Sequence, residues 1–168
     1  MTETRHIVII GCGAGGGTAA QFARKTDRTA SITVFEKGPY TQYSKCGLPY
    51  AIAGIIPNFH DLIEFSEDWF KKEHIDVHLN TSVVEIDLQD RGVIAEKGLE
   101  RIEKKFDRLI LATGAQPWVP PIQNIKKDGQ LLSGVFVLRT INDGKQILSY
   151  IKKEKNATVS YTHLRAHE

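Results

Sequence analysis

Ile7-Val8-Ile9-Ile10-Gly11-Cys12-Gly13-Ala14-Gly15-Gly16 decides how this chain reads. Four β-branched residues in a row, with no polar alternation, are the pattern of a strand buried on both faces of a parallel sheet. The glycines that follow are spaced Gly-x-Gly-x-x-Gly. Gly11 permits a tight turn, Gly13 lets the backbone approach a pyrophosphate, and Gly16 lets the next helix pack closely on the strand. The start of that helix offers unpaired N–H groups and a partial positive charge to phosphates.

Working outward, Thr18 to Lys25 has helical character. Ala30-Ser31-Ile32-Thr33-Val34-Phe35 reads as a second strand that ends at Glu36. Glu36 stands twenty residues after Gly16, where a carboxylate can accept hydrogen bonds from a ribose diol and would repel a 2′-phosphate. Strand, glycine loop, helix, strand and acid within about 30 residues make the context that the glycine signature needs. A glycine-rich turn without a ligand is the alternative.

Ten residues beyond the acid comes Tyr43-Ser44-Lys45-Cys46-Gly47-Leu48-Pro49-Tyr50-Ala51-Ile52. Lys45 is adjacent to the thiol and a short helix is expected from Gly47 to about Ala53, two features that favour thiolate over thiol. Composition leaves a second reading open, an inert buried cysteine. Cys12 occupies a variable position inside the glycine loop and reads as a small side chain, with a Cys12–Cys46 disulfide as the alternative.

Further along, Pro57 and Asn58 mark a loop, and Ser66 is expected to cap a helix that begins at Glu67. Glu73 to Val77 reads as a helix end entering a strand. Ser82 to Leu88, Gly92 to Glu96 and Arg101 to Phe106 suggest a small antiparallel ribbon. Asp107 to Ala112 reads as another buried strand, stopping at Thr113-Gly114. Pro117, Pro120 and Pro121 make an extended linker. Val135 to Leu138 is expected to be a strand, Thr140 to Lys153 a helix with Thr140 as N-cap, and Asn156 to Val159 the start of a strand.

The 168 residues suffice for a domain with a real core, and 41% hydrophobic with 25% charged residues is an ordinary globular balance. A formal charge of +2 gives no argument for nucleic acid or an anionic membrane. No apolar run approaches the roughly 20 residues of a membrane span. The N-terminus lacks a signal-peptide pattern, so a cytoplasmic protein is expected. In that compartment two cysteines read as reactive or buried rather than as a structural disulfide. His74 and His78 have a metal-compatible spacing, but they fall at a helix end and read as surface histidines. No zinc pattern, P-loop or serine elbow is present, and no metal is expected. Lys152, Lys153 and Lys155 read as a solvated helix end.

The last ten residues, Val159-Ser160-Tyr161-Thr162-His163-Leu164-Arg165-Ala166-His167-Glu168, resemble the conceptual translation of a sequencing adapter. The expectation is an artefactual tail on a fragment of a longer natural sequence.

Residues 6 to 158 resemble the pyridine nucleotide-disulfide oxidoreductases. The resemblance is to their single-cysteine branch of coenzyme A disulfide reductases, NADH oxidases and peroxidases, and polysulfide or persulfide reductases. Ile9 to Ala20 looks like the family's FAD pyrophosphate loop, Cys46-Gly47-Leu48-Pro49-Tyr50 like its redox-cysteine segment, and Leu109 to Ala115 like its second FAD motif. Val135 to Thr140 matches a segment that precedes the family's NAD domain. The resemblance implies that FAD binds at Gly11, Gly13, Ala14, Gly15, Gly16, Glu36, Lys37, Val83, Ala112, Thr113 and Gly114, with Val83 holding the adenine through its backbone. It implies Cys46 as the catalytic thiol and Thr18, Gln42 and Lys45 as substrate contacts. An NAD(P)H-binding domain would begin where the adapter-like tail does, and the intact enzyme would be a homodimer. Two departures bear on substrate. Ala14 stands where the oxidases and peroxidases carry histidine. Gln42-Tyr43-Ser44-Lys45 stands where coenzyme A disulfide reductases have Ser-Phe-Ala-Asn, although Thr18 is kept.

The expected architecture is therefore α/β, a partial Rossmann-like FAD-binding domain whose parallel sheet carries an antiparallel ribbon. Residues 1–115 would form that domain. Residues 116–155 would be the linker, strand and helix leading to an NAD(P)H domain, and 156–168 a strand stub with the tail at 159–168. The expected activity is FAD-dependent NAD(P)H reduction of a small disulfide or polysulfide through one cysteine. The alternatives are an NADH oxidase acting on oxygen, or a partial domain without function.

Overall fold

The β-branched run does form a strand buried on both faces. In a computed structural model that describes residues 4–153, β1 spans His6–Ile10 and β2 spans Ser31–Phe35, each with its last four residues buried. The helix between them, α1, spans Ala14–Thr26. It begins four residues before the expected Thr18. Gly15, Gly16 and Gly17 have poor intrinsic helix propensity, but Gly16 and Gly17 are buried against neighbouring chain, and that packing decides.

β3 (Ile75–His78) pairs with β2, and β7 (Arg108–Leu111) pairs with β1, all parallel, giving the order β3-β2-β1-β7. That order is half of a dinucleotide-binding sheet. β4 (Ser82–Asp87), β5 (Gly92–Lys97) and β6 (Glu100–Lys105) form the separate antiparallel ribbon.

Because side chains alternate along a strand, β1 feeds two cores at once. Ile7 and Ile9 pack with Ala20, Ile32, Val34, Ile75 and Phe70, the last from α3 (Glu67–Lys72). Val8 and Ile10 pack on the other face with Phe35, Phe106, and Val93 and Ala95 of the ribbon. The sheet is thus covered by helices on one side and the ribbon on the other. Full burial of each such aliphatic side chain contributes roughly 1.5–3 kcal/mol.

The chain divides into two compact units. The first ends at Cys46 and resumes over 60–116. The second takes Gly47–Phe59 and the described chain from Pro117, so the short helix α2 (Leu48–Ile52), placed by sequence in the first part, belongs to the second. There it packs with α4 (Ile141–Ile151). Gly144 on α4 faces Phe59, whose Cε1 lies 2.6 Å from where a β-carbon would stand. Thr140 caps α4 by accepting from the Asp143 N–H at 3.1 Å, while the Asp143 carboxylate accepts from the Thr140 N–H at 2.8 Å. Ser66 caps α3 through the Trp69 N–H at 3.2 Å.

Two expectations need correction. Val135 to Leu138 makes no strand, because no neighbouring strand pairs with it among the described residues. The strand expected from Asp107 to Ala112 is β7; it lies at an edge of the sheet and is half-buried, with Leu111 65% exposed. A two-residue hairpin was not anticipated. β8 (Lys126–Lys127) and β9 (Gln130–Leu131) flank Asp128 and Gly129, whose φ values of 51° and 78° suit a tight hairpin turn. The expected strand start at Asn156 to Val159 and the tail lie outside the described residues. Among those described, no helix is long and apolar enough to cross a membrane.

Candidate functional site

The glycine loop leaves β1 with Gly11 at φ +101°, a conformation open to glycine. The Gly11 N–H donates to the Phe35 carbonyl at 2.7 Å, tying the loop to the end of β2. A β-carbon on Gly11 would overlap the carbonyl oxygen of Ala112, and one on Gly16 would overlap the carbonyl oxygen of Gly11. The first glycine, the third glycine and the end of β7 therefore meet with no space for side chains. Gly13 is the N-cap of α1, in extended backbone and without a side-chain cap, and no acidic residue sits in the first turn. Ala14 and Gly15 are exposed there. The first-turn N–H groups of a helix have no intrahelical acceptor, and with no acidic residue in that turn the electrostatics there suit an anion.

Glu36 closes the loop from the other side. One carboxylate oxygen accepts from the Cys12 N–H at 2.7 Å and the other from the Gly38 N–H at 2.7 Å. Its backbone is pinned as well: its N–H donates to the His78 carbonyl and its carbonyl accepts from the Thr81 N–H, each at 2.9 Å. Thr81 lies two residues before Val83, which packs half-buried against the cluster holding Phe35. Lys37 beside the acid is exposed.

The two thiols have opposite surroundings. Cys12 is 1% exposed, and burial, with the Glu36 charge adding to it, pushes its thiol up to about 12. Cys46 is exposed and unbridged. It sits in a single 3₁₀ turn, Lys45–Gly47, that leads into α2. Its neighbour Lys45 extends to the glycine loop: Nζ lies 3.6 Å from where a β-carbon on Gly13 would stand, and 5.8 Å from the Tyr43 ring centroid.

The Pyridine nucleotide-disulphide oxidoreductase family profile matches residues 5–159. The chain belongs to this family. It is 39% identical over 148 residues to an NADH oxidase of Methanocaldococcus jannaschii, covering 87% of this chain and 32% of the relative. It is 34% identical over 151 residues to an NAD(P)H sulfur oxidoreductase (CoA-dependent) of Pyrococcus abyssi, covering 90% and 32%. Among solved structures, a NAD-dependent persulfide reductase from A. fulgidus superposes with TM-score 0.80 at 36% identity, over 89% of this chain and 27% of that one. Reduced Bacillus anthracis CoADR-RHD does so with TM-score 0.83 at 30% identity, over 91% and 27%. The chain spans about a third of the length of the curated relatives it matches.

Members of the pyridine nucleotide-disulphide oxidoreductase family bind FAD and NAD(P)H. The site has the chemistry for a dinucleotide: a backbone-lined cradle from which β-carbons are excluded, an acid at one end, and Thr113 and Gly114 exposed just beyond β7. Gly11, Gly16, Ala112, Cys12 and Glu36 are brought together, with Lys45 over Gly13.

Gln42 is placed differently from the substrate contact implied by resemblance. It is 5% exposed, its amide nitrogen donates to Glu64 at 2.9 Å, and its carbonyl accepts from Gln21 at 3.4 Å. Its buried side chain lies against Gly17 of α1. Thr18 is exposed on α1. Glu64 and Gln21, which hydrogen-bond Gln42, and Gly17, which leaves room for it, were not singled out from sequence. The only available signal was Gly17, a glycine outside the three that the phosphate signature requires. His74 sits in a turn at φ +53° and His78 pairs with Asp76 at 2.8 Å, so the two do not share a helix face.

Proposed function

We propose that this chain is the FAD-binding, thiol-bearing part of an NAD(P)H-dependent reductase of small disulfides or polysulfides. One observation carries the reading: the turn holding the exposed thiol of Cys46 also places Lys45 on the dinucleotide loop, while the other cysteine is buried and inert. The sulfur-reducing relatives from Pyrococcus abyssi and A. fulgidus support it.

When bound, FAD supplies a two-electron relay from NAD(P)H. The backbone at Gly11, Gly13, Ala14, Gly15 and Gly16 would hold its pyrophosphate, Glu36 its ribose, Val83 its adenine, and Lys37, Ala112, Thr113 and Gly114 the flanks. Cys46 does the exchange chemistry. Its sulfur attacks one sulfur of the substrate's S–S bond; a new S–S bond to Cys46 forms, the substrate bond breaks, and the departing thiolate takes a proton from water. Two electrons and a proton then cleave the mixed disulfide, release the second thiol and restore Cys46. With Cys12 unavailable, the partner sulfur comes from the substrate. In this reading the intact enzyme is a homodimer.

The M. jannaschii relative's name supports a second reading, an oxidase in which oxygen is the acceptor. Both are tested in the full-length enzyme by Cys46→Ser. Loss of disulfide and polysulfide reduction, with bound FAD still reduced by NAD(P)H, is expected. Retained turnover of sulfur substrates refutes the role of Cys46. Turnover of oxygen alone by the unmodified enzyme favours the oxidase.

A further inference from the structure

The Gly-x-Gly-x-x-Gly signature contains no basic residue, and the phosphate-binding power usually ascribed to it is that of neutral N–H dipoles. This chain adds a full positive charge at the same place, supplied from thirty-two residues downstream. Apart from Gly13 itself and its two chain neighbours, Lys45 Nζ is the one heavy atom within 4 Å of a β-carbon built on Gly13, at 3.6 Å. Gly13 is the glycine whose missing side chain allows close approach of a pyrophosphate. The ammonium therefore stands over the glycine at which the signature lets the backbone approach a pyrophosphate.

The charges around the loop are sorted along it. The carboxylate of Glu36 engages the Cys12 N–H, at the end suited to sugar hydroxyls. The ammonium of Lys45 stands at Gly13, the N-cap of a helix whose first turn carries no acid. The Tyr43 ring, 5.8 Å from Nζ, supports the same orientation from within the segment. A dinucleotide laid along the loop would meet an acceptor at its ribose and a cation at its phosphates.

Resting on the FAD reading above, we propose that Lys45 is a ligand for the cofactor's pyrophosphate, reaching it from the thiol turn. Consecutive α-carbons are about 3.8 Å apart, so the contact that neutralises the phosphate also fixes the residue beside Cys46. Cofactor binding and placement of the thiol would then be one event. Lys45 would be part of the cofactor site and not the substrate contact that family resemblance implies.

The test uses the full chain and two measurements. Lysine acetylation, followed by mass spectrometry of the Lys45 peptide, is compared without ligand and with FAD, ADP or riboflavin. Protection by FAD and ADP, which carry a pyrophosphate, and none by riboflavin, which does not, is expected. FAD affinity is then measured for Lys45→Gln and Lys45→Arg. A charge-assisted contact predicts a loss on the order of tenfold to a hundredfold for Gln, substantial recovery for Arg, and a shallower salt dependence for Gln. If Lys45→Gln fails to fold, the protection pattern on the unmodified protein decides. Equal FAD affinity for a folded Lys45→Gln variant overturns the proposal, as does protection by a disulfide substrate alone. An unmodified protein that binds neither FAD nor ADP overturns the dinucleotide reading itself, an outcome distinct from FAD binding that is indifferent to Lys45.

Discussion

Gly17 faces Gln42 so closely that a β-carbon at residue 17 would overlap the Gln42 side-chain oxygen and stand 3.0 Å from its Cβ. Gly17→Ala gains helix propensity of roughly 1 kcal/mol but overpacks a buried contact, which costs about 1–3 kcal/mol. A net loss of stability is expected. The obstacle is a side chain, so Gln42→Ser should relieve it, and the double variant should be more stable than the sum of the two losses predicts. Gly16→Ala meets the Gly11 carbonyl instead, and trimming Gln42 should not help it. Denaturant midpoints for the unmodified protein, Gln42→Ser, and each glycine variant with and without Gln42→Ser check this, and additive behaviour of Gly17→Ala with Gln42→Ser would contradict it.

Glu36→Gln removes a charged acceptor from two backbone N–H groups, at Cys12 and Gly38. An amide offers one oxygen, so one of them loses its partner. A stability loss of about 1–2 kcal/mol is expected, together with weaker flavin retention on gel filtration. Retention equal to that of the unmodified protein would remove Glu36 from the cofactor site.

Cys12 makes stability depend on alkaline pH. Its thiol is raised from 9.0 to about 12, first by burial and then by Glu36. A raised acid holds its proton more tightly in the folded state, so below the unfolded value the two states carry the same protons. As pH climbs from 9.0 towards about 12 the unfolded chain loses the proton first, and stability falls. Comparing urea midpoints between pH 7 and pH 10.5, Cys12→Ala should show a smaller decline than the unmodified protein. Parallel declines would mean that this thiol does not contribute.

Arg24 binds five carbonyl oxygens, from Asp27, Arg28, Ala30, Glu73 and His74, at 2.7 to 3.3 Å. It ties the end of α1 to the entries of β2 and β3. Lysine has neither the planar fork nor the donors to reach them all, so Arg24→Lys should cost about 2 kcal/mol or more. Amide exchange in the Glu73–His74 turn should accelerate in the same variant. A midpoint within error of the unmodified protein would show the carbonyls equally well served by water.

What could be read from the chain was whatever a local pattern determines. Ile7 to Ile10 is apolar throughout, so its burial on both faces was legible; Ala30 to Phe35 was legible as a strand, and the glycine spacing with Glu36 located the loop. Thr140 and Ser66 were legible as caps because capping is local. Val135 to Leu138 is as apolar as a strand, but a strand needs a partner, and no local pattern supplies one. The Asp128-Gly129 hairpin was missed because Lys126, Lys127 and Gln130 hide the apolar alternation that usually announces one. The start of α1 was set by packing of Gly16 and Gly17 against Gly11 and Gln42, contacts that cross the sequence. Gln42 looked available for a substrate until Glu64, 22 residues away, accounted for its amide.

The four hydrogen bonds on Glu36, two at its backbone and two at its carboxylate, have a consequence for the entropy of binding. A free glutamate side chain loses roughly 1.5–2 kcal/mol of rotamer freedom when it is immobilised. Here that loss belongs to folding, because the torsions are settled before any ribose arrives. A calorimetric titration with a dinucleotide should register less opposing entropy from this end of the site than an acid on a mobile loop would impose.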